Sequence, residues 1–147
     1  MAGYINSNDE VYQKFTNTRQ ALWNRIAIQS EHKKDWSSYY HRRLQKIYQY
    51  IIPAGSTVLE IGSGTGDLLA SVKPSHGVGI DFSAEMIRIS SDKHPQLTFI
   101  HGNAQEIPDL DMSFDFIILS DLVNDVWDVQ DIFSQLSRFS TPKTRII

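Results

Sequence analysis

The sequence predicts an α/β fold, a parallel sheet with flanking helices behind a helical N-terminal region. Three observations predict it. Short apolar runs alternate with segments of helical period, the order that right-handed β-α-β units require. The glycines gather where those runs turn into helices, and only Gly3 precedes Gly55. The composition also shifts there. Residues 1–50 hold eight Lys/Arg against four Asp/Glu, a balance of +4, and residues 51–147 hold six against thirteen, a balance of −7. All six tyrosines lie in the first fifty residues, and six of the seven phenylalanines lie after them. No Pro/Gly/Ser-rich linker and no repeat separates the halves. Residues 1–52 therefore read as a helical region and 53–147 as the α/β core of one domain.

The N-terminal helices come first. Val11, Phe15, Leu22 and Ile26 recur at spacings of 4, 7 and 4, one helical stripe. From Ser37 to Ile52, Tyr40, Leu44, Ile47, Tyr48 and Ile51 share a face, with Ser37 or Ser38 to cap the start and Pro53-Ala54-Gly55 to stop it. The other face carries His41, Arg42, Arg43 and Lys46, which reads either as solvated surface or as a face toward an anionic ligand.

After Gly55 the period changes. Thr57 to Ile61 is a short apolar run before a glycine turn, as in a buried parallel strand. Asp67 to Val72 forms the next helix and Gly77 to Asp81 the second strand. Ser83 caps a helix to about His94, with Glu85 in its first turn and Pro95 beyond its end. Leu97 to Ile100 is a third strand and Phe114 to Ser120 a fourth. Asp128 caps a last helix with Val129, Ile132, Phe133 and Leu136 at i, i+3, i+4 and i+7, and Thr144 to Ile147 begins a fifth strand.

Several classes are excluded. The chain has 147 residues, 41% hydrophobic and 21% charged, a globular composition and a length that suits one domain. It has no cysteine, which rules out disulfides, thiolate catalysis and zinc–thiolate sites. Its net charge of −3 gives no support to nucleic-acid binding. The apolar run Phe116–Leu119 is far short of the roughly 20 residues that span a bilayer, and no leader-like segment opens the chain, so no membrane partner and a cytoplasmic location are expected. The histidines show no metal-ligand spacing, so no metal is expected.

The segment that carries chemistry is Glu60-Ile61-Gly62-Ser63-Gly64-Thr65-Gly66-Asp67. Glycine admits positive φ and lets ligand atoms approach the backbone, and the helix behind it offers unpaired N–H groups. A tight strand-to-helix turn favours glycine too, but Asp81 adds to the signal. It ends the next strand 19 residues after Gly62, the place of the carboxylate that bonds ribose hydroxyls in nucleotide-binding α/β folds. As a bare helix cap it would leave the spacing unexplained. A dinucleotide turn needs a glycine three residues after its second one, and Asp67 stands there instead. This argues against the alternative of a NAD-dependent oxidoreductase.

With G-x-G-x-G and Glu60 two residues ahead of it, the sequence resembles the class I S-adenosylmethionine-dependent methyltransferases, which have a Rossmann-like sheet. S-adenosylmethionine (SAM) carries no phosphate, which suits an acidic turn. The resemblance runs from about Tyr39 to the C-terminus. It implies that Gly62, Ser63, Gly64 and Gly66 cradle the methionine part of SAM, with Glu60 directed toward its amino group. It makes Asp81 the ribose acid and lays Phe82 against adenine. Asn103 and Ala104 take the place of an Asp-Ala pair at the adenine amino group, and Asn103 departs from that pattern. Ser120 and Asp121, ending the fourth strand, become contacts for the methionine part or the acceptor, with Asn124 and Asp125 as further candidates. Tyr39 to Arg43 is similar to a helix that lids the pocket, which makes residues 1–52 the helical lid region, and there Tyr40 or Arg43 meets the methionine carboxylate. His41, Asp121 and Asp125 are the catalytic candidates, His41 because imidazole titrates near working pH.

The implied reaction is methyl transfer to an O, N or C nucleophile of a small molecule, with SAM as cofactor and S-adenosyl-L-homocysteine as product. The alternative is a non-catalytic SAM-binding fragment of a larger protein, which a loose similarity connects with family 2 glycosyltransferases. The family's sheet has seven strands and the sequence supplies four and the start of a fifth. This leads to the expectation of an N-terminal portion of a longer protein, or of a homodimer paired through the exposed sheet edge.

Overall fold

The computed structural model describes residues 10–30 and 37–147. Helices α1 (Glu10–Ser30) and α2 (Ser37–Ile51) precede the core. The core runs β1 (Thr57–Ile61), α3 (Asp67–Ser71), β2 (His76–Asp81), α4 (Ala84–Lys93), β3 (Thr98–His101), β4 (Phe116–Ile118), α5 (Val129–Leu136) and β5 (Arg145–Ile146). The five strands form one parallel sheet in the order β3-β2-β1-β4-β5. The chain builds outward from β1 to β3, then returns to lay β4 on the other side of β1. That reversal opens a crevice at the carboxyl ends of β1 and β4, where open α/β sheets bind ligands.

Alternation along the strands fills both faces. Leu59, Ile61, Val78, Ile80, Ile117 and Leu119 meet Ile132, Leu136 and Phe139 on one side. Val58, Phe116 and Ile118 meet Tyr48 and Ile52 at the end of α2, and Leu69 and Val72, on the other. The predicted caps form: Ser83 Oγ accepts from Met86 N and Asp128 Oδ1 from Asp131 N. The cap expected at Ser37 or Ser38 lies outside the described side chains.

Three expectations need correction. The first concerns α1. Val11 is 62% exposed, whereas Phe15, Leu22 and Ile26 of the expected stripe are half-buried; Tyr12 and Ala27 are buried, and Arg19, Gln20, Trp23 and Asn24 are half-buried as well. The helix turns a mixed apolar and polar face inward because it lies on the polar carboxyl end of the sheet. The second concerns α2 and α5. Tyr40, Ile47 and Ile51 are exposed and the buried contacts are Tyr48 and Ile52; in α5, Val129 and Phe133 are exposed while Ile132 and Leu136 are buried. Each helix touches the sheet along a narrower stripe than its apolar residues span. The third is the fourth strand, which is only Phe116–Ile118. Phe114 sits outside the ladder, its N–H donating to Phe139 O, and is buried under the 3₁₀ turn Ser137–Phe139.

Candidate functional site

The site begins with the turn after β1. Gly62, Gly64 and Gly66 all have positive φ (76°, 52° and 75°). Gly64 and Gly66 need glycine for different reasons. A Cβ on Gly66 would stand 2.5 Å from Phe99 Cζ, so its bareness serves packing. A Cβ on Gly64 would meet nothing within 4 Å, so the space beside it is open. Asp67 follows as the first residue of α3. Burial pushes its carboxyl up, but bonds from Lys93 Nζ (2.7 Å) and His94 Nε2 (2.8 Å) outweigh this and hold it below the ordinary value. Those bonds tie the start of α3 to the end of α4.

Asp81 ends β2 beside the turn and is buried. Its Oδ2 accepts from Gly64 N at 2.8 Å and its Oδ1 from Ser83 N at 2.9 Å. One carboxylate thus braces the glycine turn and the start of α4. Burial raises its pKa, and the N–H bonds from Ser83, Gly64 and Phe82 offset part of that rise. A carboxylate has about four acceptor sites, so it has room for a further donor.

Next to Asp81 lies a cleft with about 490 Å³ of empty space, its open mouth included. Of the residues singled out from the sequence, Gly62, Asp81, Phe82, Asn103, Ala104 and Asp125 line it. Asn103 Oδ1 accepts from Gln105 N (3.0 Å), closing the loop after β3, and its Nδ2 donates to Tyr12 Oη (3.0 Å). Gln105 in turn grips Asp128: its Oε1 accepts from Asp128 N (2.9 Å) and its Nε2 donates to Asp128 O (3.2 Å).

The remaining candidates stand elsewhere. Glu60 and Ser63 are buried at the turn, outside the cleft lining. Gly64 and Gly66 are also outside the lining. Tyr40, Ser120 and Asp121 form a separate group at the end of β4. Tyr40 Oη donates to both oxygens of Asp121 (3.1 Å each), Tyr48 hydrogen-bonds Ser120, and Asp121 adopts a left-handed φ of 54°. His41 stacks edge-on against Tyr40 with centroids 5.5 Å apart, and it and Arg43 are exposed.

Sequence reasoning missed the other wall. Tyr12, Phe15, Thr16 and Arg19 of α1 line the cleft opposite Asp81, together with Leu122 and Trp127. The ring of Trp127 meets Tyr12 and Phe15 edge-on at 5.9 and 5.3 Å. Asp125 locks the helix in place, accepting from Trp23 Nε1 at 2.6 Å and pairing with Arg19. Gln20 Nε2 donates to Phe82 O (2.8 Å), and Asn24 Oδ1 accepts from Ser83 Oγ (2.5 Å). The helix lining the cleft is α1, and among the described residues none of α2 lines it. The inward polar residues of α1 look like a solvated face in sequence, so only their partners identify them.

Both oxygens of Asp125 are committed to α1. We expect Asp125→Ala to loosen α1, with its amide hydrogens exchanging about 5–30-fold faster while those of β1 and β2 change little, a loss of about 1–2 kcal/mol. Equal acceleration in α1 and the sheet would refute the lock.

A parallel sheet with this strand order, a glycine turn after its first strand and an acidic brace after its second define a Rossmann-like domain with a small-molecule cleft at the switch point. The chain belongs to the methyltransferase domain family, whose pattern residues 58–143 match. It is 30% identical over 104 residues to a demethylmenaquinone methyltransferase of Bacillus licheniformis, covering 65% of this chain and 45% of that protein. It is 29% identical over 137 residues to a 2-phytyl-1,4-naphtoquinone methyltransferase of Thermosynechococcus vestitus, covering 86% and 61%. The chain thus spans about half the length of the curated relatives it matches. Among solved structures, a SAM-dependent methyltransferase of Geobacter sulfurreducens in complex with S-adenosyl-L-homocysteine superposes with a TM-score of 0.59 at 22% identity, covering 71% of this chain and 46% of that one. A TehB-like SAM-dependent methyltransferase of Corynebacterium glutamicum gives 0.62 at 14%, covering 91% and 71%. These two likenesses are of fold. Among the described residues no group of three or more His, Cys, Asp or Glu is placed to hold a metal, and no helix is long and apolar enough to cross a membrane.

Proposed function

We propose that the chain binds SAM in the cleft and forms the cofactor-binding part of a methyltransferase acting on a small molecule of quinone type. The observation that carries the reading is Asp81. It is a buried carboxylate that braces Gly64, with open space beside the glycine and with Phe82, Asn103 and Ala104 lining the adjoining cleft. That is where a ribose diol would meet it, adenine lying toward Phe82 and the loop after β3. Two buried polar atoms at the turn, Glu60 Oε2 and Ser63 Oγ, have no hydrogen-bond partner, and a ligand rich in polar groups suits them. The quinone-type acceptor rests on the names of the relatives, and O, N and C all stay open as the nucleophile.

SAM supplies the electrophilic methyl group together with its own leaving group. The protein's tasks are then to align the acceptor and exclude water. Helix α1 and Trp127 cover the nucleoside side of the cleft. Asp121, held by Tyr40 at the end of β4, stands on the other side of the glycine turn, where an acceptor would approach. Asp125, bound to Trp23 and Arg19, holds α1.

Calorimetry with SAM and S-adenosyl-L-homocysteine tests the cofactor assignment. Saturable binding of both is expected, and correctly folded protein that binds neither would refute it. Transfer of a labelled methyl group from SAM to a demethylated naphthoquinol tests the acceptor class, and binding without transfer would favour the reading as a non-catalytic SAM-binding module.

A further inference from the structure

One amide orders a chain of hydroxyls on the wall that α1 presents to the cleft. Asn103 follows β3, and its Oδ1 accepts from the backbone N–H of Gln105 at 3.0 Å. A backbone N–H is only a donor, so this bond settles which end of the amide is oxygen. The amide nitrogen is left for α1, and Nδ2 donates to Tyr12 Oη at 3.0 Å. Tyr12 is 2% exposed, and its phenol is also hydrogen-bonded to the hydroxyl of Thr16, one turn further along α1. A hydroxyl carries one hydrogen and two lone pairs. Whichever way the Tyr12–Thr16 bond runs, it uses one of the pair's two hydrogens, and Asn103 brings a donor rather than an acceptor. One hydrogen is therefore left over. Thr18 places its own on Lys14 O (2.7 Å), whereas among the described residues Thr16 makes no such bond back along the helix. Tyr12, Thr16 and Asn103 all line the cleft. A donor enclosed in this way is costly unless something accepts from it.

We propose that the Tyr12–Thr16 hydroxyl pair of α1 reads the base of the bound nucleoside, donating its remaining hydrogen to a ring nitrogen of a purine. Adenine carries such acceptors at N1, N3 and N7, all in the plane of a flat ring. The cleft suits a flat ring, with Phe15, Phe82 and Trp127 in its lining. The sugar belongs at the other end, because Asp81 braces the glycine turn through Gly64 while Tyr12 is bonded to the loop after β3. Asn103 commits both ends of its amide within the protein, so contact with the base passes to the hydroxyls it orders. The identity of the purine as the adenine of SAM rests on the function proposed above, whereas the unclaimed hydrogen does not.

Calorimetry with S-adenosyl-L-homocysteine and with its 1-deaza, 3-deaza and 7-deaza forms, each lacking one ring nitrogen, tests the contact. The double variant Tyr12→Phe, Thr16→Val keeps the ring and the branching and removes both hydroxyls. It should bind S-adenosyl-L-homocysteine about 5–12-fold more weakly than the wild type, the effect of one lost hydrogen bond. Toward one of the deaza forms the two proteins should agree within about 1.5-fold, because the bond is then missing from both, and that form identifies the nitrogen. A cooperative melt of the ligand-free variant shows that it folds. If it does not, Tyr12→Phe and Thr16→Val are measured singly, and the one that removes the donor shows the same pattern. Equal weakening toward all the ligands, or none toward S-adenosyl-L-homocysteine, overturns the reading of the base from α1 and leaves the cofactor assignment standing. Wild type that binds none of the ligands overturns the cofactor assignment and the contact with it.

Discussion

Replacing Asp81 by alanine is expected to raise the dissociation constant for S-adenosyl-L-homocysteine by about 30–150-fold, which calorimetry reads directly. The carboxylate holds Gly64 N at 2.8 Å and Ser83 N at 2.9 Å. Removing it leaves both N–H groups without their acceptor and takes away the acceptor assigned to the ribose diol. Hydrogen bonds to charged groups contribute about 1.5–3 kcal/mol each, so a combined loss of about 2–3 kcal/mol in binding is a modest demand. Stability falls as well, by about 1–3 kcal/mol, because the start of α4 and the turn after β1 lose a shared brace. Asp81→Asn should not rescue, since its NH₂ would face one of two N–H donors. An unchanged dissociation constant in either variant would remove Asp81 from the ribose role.

The second large effect separates two glycines that look alike in the motif. In Gly66→Ala the new Cβ would lie 2.5 Å from Phe99 Cζ and 2.8 Å from Phe99 Cε1 at a φ of 75°. Left-handed backbone costs a non-glycine residue about 1–2 kcal/mol and overpacking about 1–3 kcal/mol more. The variant should lose about 2–5 kcal/mol of stability, seen as an early urea midpoint. Gly64→Ala bears only the backbone cost, about 1–2 kcal/mol, because nothing lies within 4 Å of the added atom. That atom fills the space beside the turn, so its larger effect should be on affinity, at least about tenfold for SAM. The hypothesis fails if Gly64→Ala binds like the wild type, or if Gly66→Ala is as stable as Gly64→Ala.

Much of the core was legible because its signals are local. The run 57–61, the glycines after it, Ser83 and Asp128 as caps, and Asp81 at a strand end all form contacts within a few residues or with the neighbouring strand. The wall made by α1 was not legible. Thr16, Arg19, Gln20 and Asn24 are polar residues at helical spacing, which in sequence resembles a face turned to water. The partners of Arg19, Gln20 and Asn24 lie 59 to 106 residues away, as with Asn24 to Ser83 and Arg19 to Asp125. For the same reason the sequence did not tell which helix of residues 1–52 lines the cleft. The motif around Tyr40 to Arg43 is compact in sequence, yet Tyr40 reaches Asp121, away from the cleft lining.

Local chemistry thus settled which strands and helices form and the residue types at the turn, since hydrophobic period, capping and glycine conformation act over a few residues. The tertiary arrangement settled which glycine faces open space and which packs on Phe99, that Asp125 is an anchor for α1, and that Glu60 keeps a bare buried oxygen. These depend on how far neighbouring elements exclude water and where distant side chains arrive, and no short window of sequence carries that information.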